Sequence, residues 1–354
     1  MVVKMVVQVR LVLFFAVHFL VDCRESPLTY KMNDGNEIPA IALGTSLGHL
    51  SDGTRVLPVN HSLAQAVQWA LEAGYRHVDT ASLYRVEDEV GFGVRNFVNK
   101  QCNASRQDVY ITTKLWNDAH EREEVIPALK KSLETLEMDY VDLYLVHYPM
   151  AYKKDGSISD TDYLTTWQGM EDAKLANLTR SIGVSNFNLT QMQRLWNNSK
   201  IKPAVLQIEV NPTITQDELV NWCHDHGVVV MGYSPFGAIL GRKKDAPGPR
   251  TNDTLLHELA QKYNKKVPQI LLRYLLERNI VAIPRSTNLE RINLNFAIQD
   301  FKLTPEEVKN ISGFNKNYRL RTPAKWYDHP QFPFEKKNLT NEEIQYIIEH
   351  STED

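Results

Sequence analysis

From residue 38 onward, short apolar runs alternate with longer amphipathic segments. Residues 38–43 read as a first strand that ends in Gly44-Thr45-Ser46. Residues 62–73 carry helical spacing through Leu63, Val67 and Ala70, with Ser62 as N-cap and Gly74 as the stop. The second strand is 77–80, followed by a helix over 87–98. The third, 109–113, closes on Lys114 and leads into a helix over 122–137 that Pro127 should bend. Strands follow at 141–146, 180–184, 205–210, 228–233 and 280–283. Helices at 163–175, 191–198, 216–226 and 268–278 fall between them. Eight strands alternating with helices predict an α/β fold, a single-domain (β/α)8 TIM barrel, rather than an open sheet. No Gly-x-Gly-x-x-Gly follows the first strand, which disfavours a Rossmann domain. Residues 241–252 form a loop able to cover a ligand, and 304–311 a further helix. The chain from Phe314 is irregular and aromatic, as expected of a C-terminal substrate loop.

The first 23 residues break this pattern. Lys4 and Arg10 precede an apolar run over 11–21, and polarity rises at Asp22. A basic start and a core too short to span a bilayer predict a secretory signal peptide over 1–23; an uncleaved anchor is the alternative. The barrel then occupies 24–337 and a polar extension 338–354. Eight Asn-X-Ser/Thr sequons begin at Asn60, Asn103, Asn177, Asn188, Asn197, Asn252, Asn310 and Asn338. Roughly three are expected by chance, so the excess favours passage through the secretory pathway and an extracellular destination. Once the leader is lost, Cys102 and Cys223 remain, too few for a disulfide framework, and no bond between them is expected. A net charge of −3 and a pI near 6.4 supply no field for nucleic acid or an anionic membrane.

The polar groups that end the strands decide the chemistry. Asp79, Lys114, His147 and the Ser185-Asn186 pair each close an apolar run, and Tyr84 follows Asp79 by five positions. In an eight-fold barrel the carboxyl ends of the strands share one mouth, where the chemistry sits. A phenol titrates near 10 and is a weak acid alone. A neighbouring ammonium should lower that value, and a carboxylate should keep the ammonium charged and placed. A histidine opposite could orient a carbonyl oxygen, so that the group protonates an alkoxide as a hydride arrives. Singly each residue has a plainer reading: Asp79 a strand-end cap, Lys114 a solvated lysine, His147 a satisfied core histidine, Asn186 a turn residue. Their joint order does not. No metal site is expected.

With these residues the chain resembles the aldo-keto reductases from about Ile38 to Phe334. The matching stretches are Ala42-Leu43-Gly44-Thr45, Asp79-Thr80-Ala81 with Tyr84, Thr113-Lys114-Leu115-Trp116 and Asp142-Leu143-Tyr144-Leu145-Val146-His147. Further on come Gly183-Val184-Ser185-Asn186-Phe187, Gln207-Ile208-Glu209-Val210-Asn211-Pro212, Tyr233-Ser234-Pro235 and Ile283-Pro284-Arg285-Ser286. The resemblance implies Tyr84 as proton donor, Lys114 and Asp79 as its tuning pair, and His147 as carbonyl orienter. It implies NADPH as cofactor. Ser185, Asn186 and Gln207 would hold the nicotinamide carboxamide, and Tyr233 would stack on the ring. Ser234 to Ile239, with Phe236 and Gly237, would wrap the pyrophosphate. Arg285, Ser286 and Arg291 would meet the 2′-phosphate, which Arg grips as a rigid fork. Thr45, Asp79, Asn288 and Asn295 complete the implied cofactor set.

Departures from the family pattern bear on the substrate. Tyr84-Arg85-Val86-Glu87 replaces Tyr-x-Asn-Glu, Tyr148 follows His147 where tryptophan is common, and Ser46 stands where a pocket tryptophan is frequent. Arg285 replaces a usual lysine, Asn288 a threonine and Leu294 a glutamate that contacts adenine; residues 150–161 are shorter than the usual first substrate loop. Ser46, His147 and Tyr148 would border the substrate; Trp116 and Trp326 would either line that pocket or simply pack. The leader, the shortened loop and the missing tryptophan point towards the secreted insect ecdysteroid reductases, which return 3-dehydroecdysone to ecdysone; a monomer is what the family resemblance implies. A general carbonyl reductase is the alternative within the class. A non-catalytic barrel that binds cofactor or steroid is the alternative outside it, disfavoured by the intact Asp79, Tyr84, Lys114 and His147.

Overall fold

The computed structural model describes residues 28–49, 54–241 and 245–335, together with 340, 342, 343 and 345. The signal-peptide segment, Asn338 and most of the polar extension lie outside these residues. β1 (Thr29–Lys31) and β2 (Glu37–Pro39) form an antiparallel hairpin. Its turn needs Gly35, whose φ of 87° is left-handed.

Eight parallel strands follow: β3 (Leu43–Gly44), β4 (His77–Asp79), β5 (Tyr110–Leu115), β6 (Val141–Val146), β7 (Thr179–Ser185), β8 (Val205–Glu209), β9 (Val229–Tyr233) and β10 (Ile280–Ile283). Each pairs with its sequence neighbour. The ring closes between its ends through the parallel bridges Ile41↔Ala282 and Gly44↔Arg285, with Gly44 N–H donating to Pro284 C=O at 2.9 Å. Among the described residues the named α-helices are α1 (Ser62–Ala73), α2 (Glu87–Lys100), α3 (Arg122–Leu136), α4 (Tyr163–Leu175), α5 (Leu189–Asn198), α6 (Asp217–Asp225), α7 (Thr254–Lys262), α8 (Val267–Glu277), α9 (Leu289–Phe296) and α10 (Pro305–Ser312).

Alternation along each strand divides the core in two. Leu143, Leu145, Val205, Val229, Met231, Val281 and Ile283 fill the barrel interior. Their neighbours Tyr144, Val146, Leu206, Ile208 and Val230 pack outward with the helices. Several expectations change here. Residues 38–43 are not one strand: 37–39 serve the hairpin, Ile41 makes an isolated bridge to Ala282, and Leu43–Gly44 forms the barrel strand. Ser62 does not cap α1. His61, in left-handed geometry, holds that position without a side-chain cap, and Ser62 Oγ instead accepts from Val59 N–H at 3.3 Å. Gly74 does stop α1, at φ 117°, where a Cβ would meet the Phe296 ring at 2.5 Å. α7 and α9 were not expected. α9 is capped by Asn288, whose side chain accepts from Arg291 N–H at 2.9 Å. Cys102 is exposed, Cys223 is buried, and both are free.

Candidate active site

The same parity that fills the barrel interior continues to its rim. Asp79 lies two residues after the buried His77, Lys114 two after Thr112, His147 two after Leu145, and Gln207 two after Val205. Tyr233 and Arg285 follow Met231 and Ile283 in the same way. Successive residues on one strand face are two apart, so polar groups that end six strands converge on the mouth.

Lys114 is fully buried, and its Nζ donates to Asp79 Oδ1 at 2.8 Å and to Thr80 C=O at 2.7 Å. Tyr84 ends a short 3-10 turn, Ser82–Tyr84, that Ser82 Oγ ties to Lys114 C=O at 3.0 Å. Lys114 Nζ stands 3.4 Å from Tyr84 Oη. The other Asp79 oxygen accepts from Gln207 Nε2 at 2.7 Å. The ammonium keeps its proton: burial lowers its pKa, but the charge of Asp79 and then Tyr84 more than reverse this and raise it. The expected drop in the Tyr84 pKa does not occur. Desolvation raises it, and the opposing pull of Lys114 offsets only part of that rise. Tyr84 is therefore a protonated donor at neutral pH.

His147 meets the Tyr84 ring edge-on at 5.7 Å and stacks on Tyr148 at 5.3 Å. Burial first, then the charges of Lys114 and Arg55, depress its pKa well below the ordinary value, so the ring is neutral. Its Nδ1 is buried with no hydrogen-bond partner among the described residues. A neutral imidazole carries one N–H, which suits it to donate to a carbonyl oxygen without competing as an acid.

The main cavity runs from this group along the rim. It is lined by Thr45, Ser46, Asp79, Tyr84, His147, Tyr148, Ser185, Asn186, Gln207, Tyr233, Ser234, Phe236, Gly237 and Arg285 among others. Asn186 is already committed: Nδ2 donates to His147 C=O at 2.9 Å, and Oδ1 accepts from Tyr233 Oη at 2.8 Å. It thus sets the Tyr233 ring against the cavity. Ser185 Oγ donates to Gln207 C=O at 2.9 Å. The Ser234 turn is held by Gly237, at φ 50°, whose Cβ would come 2.7 Å from Asn211 Oδ1. At the far end Arg285 Nη1 donates to Ser46 C=O at 2.7 Å. Although Arg285 is exposed as a whole, partial desolvation and then the like charges of Arg321 and Arg291 lower its pKa. Arg285 and Arg321 share the cavity wall, and Arg291 lies in the first turn of α9, so positive charge collects where an anion could be met. Ser286 Oγ accepts from Asn288 N–H at 3.1 Å, and Asn295 is buried in α9; neither borders the main cavity, and nor do Asn288 and Arg291.

Trp116 and Trp326 do not line that cavity either. They lie 5.7 Å apart, Trp326 against Tyr148 at 5.1 Å and Trp116 against His147 at 5.3 Å, as an aromatic backing. Sequence reasoning missed Arg55, Arg321 and Thr322 on the cavity wall. It also quoted Glu209 without giving it a role. That fully buried carboxylate accepts from the backbone N–H of Leu320 and Arg321, both at 2.9 Å, and so fastens the C-terminal loop to the rim. A glutamate on the inner parity of a strand was the available signal. Among the described residues no group of three or more His, Cys, Asp or Glu side chains could hold a metal ion.

The chain is 51% identical to the aldo-keto reductase AKR2E4 of Bombyx mori over 304 residues, 86% of this chain and 97% of that protein. It is 40% identical to mouse aldo-keto reductase family 1 member D1 over 319 residues, 86% and 96% of the two chains. The crystal structure of the Bombyx mori AKR2E4 in complex with NADP superposes with a TM-score of 0.82 at 50% identity, covering 87% of this chain and 99% of that one. AKR2E5 complexed with NADPH gives 0.85 at 39% identity, covering 89% and 96%. The model of the Aldo/keto reductase family matches residues 40–316. A barrel of this topology, with this rim and these relatives, belongs to the aldo/keto reductase family.

Proposed function

We propose that the protein reduces the carbonyl group of a small molecule to an alcohol with NADPH, using Tyr84 as proton donor. The observation that carries this is the buried Lys114, held at 2.8 Å from Asp79 and 3.4 Å from Tyr84 Oη at the barrel mouth. The cofactor fits the residues present. Arg285 and Arg291 would meet the 2′-phosphate, the Ser234–Gly237 turn on the cavity wall would border the pyrophosphate, and Tyr233 would offer a ring face. Gln207 Oε1 and Ser185 would meet the carboxamide. When bound, NADPH supplies the hydride that goes to the carbonyl carbon.

The chain's own groups manage the oxygen. His147, neutral, donates its N–H to the carbonyl oxygen and orients it. Tyr84 gives its proton to that oxygen as negative charge develops, and Lys114 stabilises the phenolate left behind. Asp79 holds Lys114 charged and in place, and the tyrosine regains its proton from solvent.

The finer reading is a secreted, glycosylated, monomeric ketosteroid reductase acting on 3-dehydroecdysone. What supports it is the leader-like first 23 residues and the sequon excess. Among the sequon asparagines, Asn60, Asn103, Asn177, Asn197, Asn252 and Asn310 are exposed. A serine at position 46 leaves the cavity wall open for a bulky ligand. The test is NADPH consumption by the purified secreted protein with 4-nitrobenzaldehyde and 3-dehydroecdysone, in wild type and Tyr84→Phe. Turnover that collapses in Tyr84→Phe while cofactor binding persists supports the mechanism; unchanged turnover refutes it. Faster steroid turnover supports the hormone reading, aldehyde turnover alone leaves a general carbonyl reductase, and NADPH binding without turnover would indicate a binding barrel.

A further inference from the structure

Between β3 and α1 the described residues 45–49 and 54–61 bring Thr45, Ser46, Gly48, His49 and Arg55 to the wall of the main cavity. The two limbs are tied together by the antiparallel bridge His49↔Arg55 and by Val56 N–H donating to Gly48 C=O at 2.9 Å. This pairing carries both side chains onto the wall of the main cavity. The Arg55 guanidinium carbon lies 5.9 Å from the centre of the Tyr84 ring, and its charge is felt at both Tyr84 and His147. Among the described residues that line the cavity, Asp79 is the only carboxylate, and Lys114 neutralises it.

We infer that Arg55 is a specificity-determining residue that selects carbonyl compounds bearing an acceptor oxygen, hydroxyl or carboxylate, on the carbon next to the reacting carbonyl. The inference rests on the carbonyl-reductase reading and deepens it. The reacting oxygen would meet Tyr84 and His147, and Arg55 enters the same cavity with its guanidinium carbon 5.9 Å from the centre of the Tyr84 ring, within reach of a substituent on the next carbon. Arg55 has other contacts. A guanidinium carries five N–H donors in a rigid fork, so those contacts and a ligand oxygen can be served together. The His49↔Arg55 bridge and the Val56–Gly48 hydrogen bond fix the backbone that carries the guanidinium, so less freedom is lost on binding. His49, its bridge partner, lines the same cavity.

The experiment compares kcat/KM for 2-hydroxycyclohexanone and cyclohexanone, with NADPH, in wild type, Arg55→Leu and Arg55→Lys. The intrinsic reactivity difference of the two ketones cancels when their ratio is compared between proteins. A charge-assisted hydrogen bond predicts that the ratio drops roughly 10-fold to 100-fold in Arg55→Leu. Partial retention is expected in Arg55→Lys, which keeps the charge without the fork, and this variant serves the test should Arg55→Leu fail to fold. 2-Ketobutyrate against 2-butanone, measured in the same proteins, shows whether a carboxylate is preferred to a hydroxyl. A ratio that does not depend on residue 55 for either pair overturns the inference while leaving the reductase reading intact. No turnover of any ketone or of 4-nitrobenzaldehyde by the wild type overturns both.

Discussion

Replacing Lys114 by methionine isolates the charge that the proposed mechanism needs. The side chains have similar length, and Lys114 is fully buried, so the main change is loss of the ammonium. Nζ stands 3.4 Å from Tyr84 Oη. At an effective dielectric constant of about 20, a full phenolate charge at that distance is stabilised by about 5 kcal/mol. A transition state with half the charge developed would forfeit about 2.5 kcal/mol. The expected fall in kcat is therefore roughly 70-fold to 4,000-fold. The variant also strands Asp79, which is 3% exposed. Removing one partner of a buried pair costs about 3–5 kcal/mol of stability, softened here by the Gln207 bond at 2.7 Å. Asp79→Asn/Lys114→Met removes the stranded charge and should recover much of that stability without recovering rate. Steady-state reduction, measured across pH below each protein's melting temperature, separates the two effects. Reduction needs protonated Tyr84, so the rate falls as pH rises through its pKa. Because Lys114 pulls that pKa down, its loss moves the alkaline limb to higher pH while the plateau drops. A folded variant with kcat within about twofold of wild type and an unmoved limb would refute the reasoning.

Three further outcomes are expected. Arg285→Ala should weaken NADPH binding far more than NADH binding in a fluorescence titration, since the guanidinium serves the 2′-phosphate; equal losses would remove that assignment. Glu209→Leu leaves the Leu320 and Arg321 N–H groups without their acceptor, which should cost about 1–3 kcal/mol per group in thermal or urea unfolding and raise KM by loosening the C-terminal loop. Asn188 should stay unglycosylated in protein recovered from the medium. Its Oδ1 caps α5 through Gln191 N–H at 2.9 Å, and its Nδ2 donates to Pro333 C=O at 3.1 Å; glycopeptide mass spectrometry would contradict this by finding it occupied.

Local pattern was enough where an apolar run or helical spacing stands between polar turns. The strand at Val141–Val146 and the helix at Tyr163–Leu175 have the bounds that their apolar spacing predicts. The strand-end residues Asp79, Lys114, His147, Gln207 and Tyr233 could be picked out because side chains alternate along a strand. Membership of the family, and with it the barrel, was likewise legible in the ordered motifs. Three matters were decided only by the fold. The split of residues 37–44 between hairpin and barrel depends on partners far away, Thr29–Lys31 on one side and Ala282 on the other. The direction of the Tyr84 shift depends on how far burial outweighs a cation 3.4 Å away, a balance of desolvation and distance that residue order does not contain. Arg55 and Arg321 reach the site from a loop and a tail, and no periodicity marks them; strand parity marks Glu209, but its partners Leu320 and Arg321 are set by the fold. Strand parity is a local property of the backbone and can be read along the chain; which charges share a cavity is a property of closure, because only the closed ring brings residues 55, 84, 209 and 321 to one mouth.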